Sequence, residues 1–140
     1  MDKQIIAVVG AGHWGKNHIR NFYEIGRLSM VCDTSPQAID DIRKKYPHVK
    51  TTTDYQEVLD DSRIKGIVIA SNAETHFPLA LKALEHDKDV LVEKPLALNV
   101  TEAEQLHSLA EARSRVLMVG HLLLFHPAIR KIKEYIQKGI

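Results

Sequence analysis

The stretch "VVGAGHWGKNHI", residues 8 to 19, constrains this chain more than any other. Three glycines, Gly10, Gly12 and Gly15, stand between a short apolar run and a segment of helical period. Placed between a buried strand and a helix, the pattern Gly-x-Gly-x-x-Gly is the turn that admits a dinucleotide pyrophosphate. Gly10 would make the tight turn, Gly12 would let the backbone approach the phosphates, and Gly15 would let the helix pack close to the sheet. The phosphates would sit on the free N–H groups and the positive dipole end of that helix. Glycines alone also fit an ordinary bend, so the test lies downstream. Asp33 stands 18 residues after Gly15, at the end of the next apolar run, where an acid would take the ribose hydroxyls.

The rest of the chain has the matching rhythm. "QIIAVVG", "LSMVCD", "VKTTT", "IKGIVIAS", "DVLVEKP" and "RVLMVGH" read as six strands. Helical segments alternate with them: "HWGKNHIRNFYEI", "SPQAIDDIRKKY" capped by Ser35, "DYQEVLDD" capped by Asp54 or Thr53, "THFPLALKALEHD" and "NVTEAEQLHSLAEARS". This predicts an α/β fold, a Rossmann-type doubly wound parallel sheet in the order 3-2-1-4-5-6 with right-handed crossovers. A last helix begins near Ala128, with Ile129, Ile132 and Ile136 on one face. Its apolar stripe fits either docking on the chain's own sheet or continuation into a longer protein. The expected division is a dinucleotide-binding domain over 1–120 and a crossover segment over 121–140 leading toward a second domain.

Composition narrows the partners. The 140 residues are 44% hydrophobic and 26% charged with a net charge of +1, as in a globular domain, with no field to steer nucleic acid or an acidic membrane. The apolar runs are too short to span a bilayer, and the cytoplasm is the expected location. The single cysteine, Cys32, lies in an apolar run and reads as a packing residue. Eight histidines raise the question of a metal, but only His121 and His126 are close in sequence and no ligand spacing surrounds them, so none is expected. His86, Asp87 and Asp89 read as a polar turn.

Asp33 also bears on the cofactor. A carboxylate there accepts from a 2′-hydroxyl and repels a 2′-phosphate, and the following "TSP" offers no cation, so NAD is expected over NADP. Arg43 and Lys44 lie in the next helix, from which a basic side chain could reach the adenosine end and oppose this. His13 and Trp14 fill the variable loop positions, His13 facing solvent beside the cofactor and Trp14 packing on or capping the crevice. His18 reads equally as a polar contact near the site or as a surface residue. Glu93, Lys94 and Pro95 follow the fifth strand, at the sheet edge where open α/β proteins bind ligands. Lys94 is either a solvated side chain paired with Glu93 or a lysine placed for chemistry, and its position favours the second.

Taken together, "VVGAGHWG", "CDTSP", "IASNAETHFPLALKAL" and "KDVLVEKPLA" resemble the N-terminal half of the Gfo/Idh/MocA oxidoreductases, the glucose-fructose oxidoreductase and inositol dehydrogenase family. The resemblance implies hydride transfer between NAD and a hydroxyl or carbonyl of a sugar, nucleotide-sugar or cyclitol, with Lys94 assisting proton transfer. It implies that Ser71, Asn72 and His76 line the cofactor crevice and that Glu93 contacts the nicotinamide ribose or fixes Lys94. Further, it implies a second, substrate-binding domain absent from this sequence, without which turnover is not expected, and a homo-oligomer at full length. "GHLLLFHP" is similar to nucleotide-sugar members, while Leu124 stands where many members carry arginine. Two rivals fit the glycines without Glu93-Lys94-Pro95: a non-catalytic dinucleotide-binding or redox-sensing module, and a methyltransferase.

Overall fold

The computed structural model describes residues 5–140; Gln4, read as part of the first strand, lies outside them. Among the described residues the strands are β1 (Ile6–Val9), β2 (Leu28–Cys32), β3 (Lys50–Thr52), β4 (Gly66–Ile69), β5 (Asp89–Val92) and β6 (Leu117–Val119). All pairings are parallel and the order is β3-β2-β1-β4-β5-β6, as expected for the doubly wound sheet. The helices are α1 (His13–Glu24), α2 (Pro36–Lys45), α3 (Tyr55–Asp60), α4 (Ala73–Glu85), α5 (Val100–Ala112) and α6 (Pro127–Lys138).

Strand alternation divides the core between the two sheet faces. Ala7, Val9, Ile67 and Ile69 pack with Val58 and Leu59 of α3, Ala80 and Leu84 of α4 and Leu106 of α5. Val8, Val31 and Val68 pack with Ile19 of α1 and Ile42 of α2. The central strands are therefore apolar on both sides, which explains their unbroken β-branched runs.

The boundaries differ from the sequence reading for local reasons. β1 stops at Val9 because Gly10 turns the chain with φ +96°. Helix α4 starts at Ala73, two residues before the expected Thr75, because the Asn72 carbonyl accepts the Thr75 amide. Ser35 caps α2 through the Ala38 amide, and Asp54 rather than Thr53 caps α3 through the Gln56 amide. After β6 a 3₁₀ turn, Leu122–Phe125, precedes α6, which His126 caps. Among the described residues no helix is long and apolar enough to cross a membrane.

Candidate functional site

In a doubly wound sheet the loops after β1, β2, β4 and β5 meet at one edge, and here they wall a crevice of about 560 Å³. Gly10, Gly12, His13, Trp14, Asp33, Ser71, Asn72, His76, Glu93 and Lys94 all line it, together with Cys32, Thr34, Thr53, Tyr55 and Thr75. Gly15 does not. It lies buried in α1, where a Cβ would collide with the Gly10 carbonyl, so it sets how closely helix and strand approach. Gly10 is equally confined, its hypothetical Cβ 2.6 Å from the Ala70 carbonyl group, whereas Gly12 faces open space.

This arrangement fits a pyrophosphate. The α1 N-cap is Gly12, with no side-chain cap and no acid in the first turn, so the N–H groups and dipole of that turn face the crevice unopposed. Helix α4 likewise begins at the crevice without a side-chain cap. A side chain at Gly12 would stand in the open space before the N-terminus of α1.

Asp33 has a second task that spacing alone does not reveal. Its Oδ2 accepts the Ala11 amide at 2.6 Å and its Oδ1 the Ser35 amide at 2.8 Å. The carboxylate thus fastens the glycine turn to the end of β2. Each oxygen keeps a lone pair, enough for a hydroxyl donor. Arg43 is engaged elsewhere, donating to Thr51 and to Asp40, and neither Arg43 nor Lys44 lines the crevice. Asp33 and Lys94 end strands three spacings apart in the sheet, about 14 Å.

Glu93 and Lys94 do not form the ion pair weighed from the sequence. Glu93 Oε1 lies 2.7 Å from His18 Nε2, and Lys94 is exposed with no hydrogen bond or ion pair among the described residues. The Glu93 carboxyl lies against Gly120, where a Cβ would come within 3.0 Å of it, so the missing side chain there eases its approach to His18. The sequence fits His18 equally as a polar contact or a surface residue, and the structure turns it toward Glu93. Its signal was the four-residue offset from Trp14, which puts both on one side of α1. His76 is 2% exposed, so it contributes a buried wall; its ring reaches the Pro95 carbonyl at 2.6 Å and the Ser71 carbonyl at 3.0 Å.

Two further groups on the crevice wall are chemically quiet. Burial, reinforced by Asp33, raises the Cys32 thiol to about 11, which leaves it protonated and inert. Burial also raises the Tyr55 phenol, which donates to the Leu79 carbonyl. Among the described residues the buried lysine is Lys88, not Lys94, and it donates to the Asp61 and Ile64 carbonyls at 2.9 Å each.

A glycine turn on an open helix N-terminus, an acid at the end of β2 and a crevice across the strand ends define a dinucleotide-binding Rossmann domain. The chain belongs to the Gfo/Idh/MocA oxidoreductase family, whose NAD-binding Rossmann-fold model matches residues 5–121. It is 29% identical over 143 residues to the scyllo-inositol 2-dehydrogenase (NAD(+)) of Bacillus subtilis, covering 99% of this chain and 42% of that protein. With the UDP-N-acetylglucosamine 3-dehydrogenase of Acidithiobacillus ferrooxidans it shares 27% over 132 residues, 91% of this chain and 40% of that one. The crystal structure of GenD2 from gentamicin A biosynthesis, in complex with NAD, superposes with a TM-score of 0.85 at 32% identity, over 91% of this chain and 37% of that one. The chain therefore spans about two fifths of the length of the relatives it matches.

Proposed function

We propose that this chain is the cofactor-binding part of an NAD-dependent oxidoreductase acting on a hydroxyl or carbonyl of a sugar, cyclitol or nucleotide-sugar. The observation that carries the reading is the single crevice in which the glycine turn, Asp33 and Lys94 stand in a row along the strand ends. NAD bound there supplies the hydride acceptor. The α1 N-terminus and Gly12 would hold the pyrophosphate, and Asp33 the adenosine ribose. Lys94, its amine free, would hold a proton at the substrate oxygen. Support for the substrate class comes from the named activities of the inositol and UDP-N-acetylglucosamine dehydrogenase relatives.

The same reading divides the protein into a Rossmann domain over 1–120 and a connecting segment over 121–140 that leads to a substrate-binding domain. It also makes the full-length enzyme a homo-oligomer in the cytoplasm, where a free thiol such as Cys32 stays reduced. Titration calorimetry of this chain with NADH and NADPH tests it. NADH is expected to bind at least about tenfold more tightly, since the Asp33 carboxylate repels a 2′-phosphate, and Asp33→Asn should narrow the gap. Tighter NADPH binding, or no binding of either, would overturn the cofactor reading.

A further inference from the structure

We propose that His18 and His76 are positioning residues that clamp Lys94 from both sides, one through the residue before it and one through the residue after it. The proposal rests on the cofactor reading above and deepens it. Lys94 sits in a short turn, and among the described residues its side chain has no hydrogen bond or ion pair, so its position is set by how the turn on either side of it is held.

On the N-terminal side, the Glu93 carboxylate is held 2.7 Å from His18 Nε2 and is confined by the bare face of Gly120. On the C-terminal side, the Pro95 carbonyl lies 2.6 Å from His76 Nδ1, while Nε2 of the same ring lies 3.0 Å from the Ser71 carbonyl. Both partners of His76 are acceptors. The neutral Nδ1–H tautomer donates to the Pro95 carbonyl and a doubly protonated ring donates to both, so in these two states the imidazole ties the turn to α4.

The choice of residue is informative. His76 is enclosed, and a polar ring in such a place costs stability unless it is hydrogen-bonded, whereas a leucine would fill the volume with no such demand. Its Nδ1 edge therefore does what packing cannot, which is to hold the Pro95 carbonyl by a directed hydrogen bond. His18 and His76 are the sixth residue of α1 and the fourth of α4, the two helices that open onto the crevice without side-chain caps. The clamp thus sets Lys94 relative to the same two helix ends that face the cofactor.

The experiment compares NADH with ADP-ribose, which lacks the nicotinamide, in calorimetric titrations of the chain carrying His18→Ala, His18→Gln, His76→Leu or His76→Gln. Losing one hydrogen bond to a charged or enclosed partner should weaken NADH binding about tenfold in the Ala and Leu variants. ADP-ribose affinity should stay within about twofold, and glutamine at either position, which restores a donor, should recover most of the loss. If His76→Leu does not fold, His18→Ala at its half-buried site carries the comparison. Unchanged NADH affinity, or equal losses for both ligands, would overturn the clamp and leave the cofactor reading standing. Binding of neither ligand by the unsubstituted chain would remove the cofactor reading and the clamp with it.

Discussion

Gly15 shows how little freedom the turn after β1 has. A methyl group there would meet the Gly10 carbonyl, and Gly10, with φ +96°, has the Ala70 backbone 2.6 Å from its own Cβ position. Neither can yield without moving the other. Gly15→Ala should therefore cost at least about 2 kcal/mol and lower the melting temperature by roughly 5–10 °C. Scanning calorimetry reads this directly; a change under about 1 °C would mean that helix and turn separate freely. Gly12→Ala, facing open space, should leave the melting temperature nearly unchanged while weakening NADH binding. The three glycines look alike in the sequence, but packing divides them into two structural positions and one facing the open crevice.

Among the elements, the α3–β4 connection has its own electrostatic lock. The Arg63 side chain donates to Asp61 from Nε at 3.0 Å and from a terminal nitrogen at 2.7 Å, and these bonds hold the Asp61 carboxyl down at about 2. The unfolded chain binds that proton near the ordinary value of 3.8, so between 3.8 and 2 the unfolded state carries more protons. The stabilisation is complete above the upper value and is lost as pH falls toward the lower one. Thermal melts from pH 6 to pH 2 should show a steeper acid-side fall for the unsubstituted chain than for Asp61→Asn. Parallel curves would show that the pair adds nothing. Lys88, just before β5, secures the same connection, since its ammonium donates to the Asp61 and Ile64 carbonyls, and burial lowers its pKa.

Across the whole molecule, the two sheet faces are covered unequally. Helices α1 and α2 cover β1, β2 and β4, while Met118 of β6 remains exposed on the α1 side. Beside it Leu122, Leu123, Leu124 and Phe125 are all more than half exposed, and with Leu91 and Ile129 they line an apolar hollow of about 910 Å³. A hydrophobic dye such as anilinonaphthalene sulfonate should therefore fluoresce with the chain under native conditions. Leu123→Ser with Phe125→Ser should reduce that signal at least about threefold without loss of secondary structure. An equal signal would place the dye elsewhere. Glu93 and Lys94 line both this hollow and the cofactor crevice, so Lys94 stands where the two spaces meet.

The strand and helix order, the sheet topology, the place of the cofactor turn and the family follow from local pattern. Apolar period, caps and glycine spacing act within a few residues along the chain, so the sequence displays them directly. That Asp33 and Lys94 stand at the crevice was legible for the same reason, since each follows a recognisable strand. Only the tertiary structure decided that Glu93 turns to His18 instead of Lys94, that His76 is a wall and a tether, and that Asp33 also holds the Ala11 amide. These contacts join residues 75, 19 and 22 positions apart, and the sheet order brings them together. Periodicity shows which face a side chain takes. Which of several polar neighbours it chooses depends on space, here on the missing side chain of Gly120, and that space exists only once β5 and β6 lie side by side.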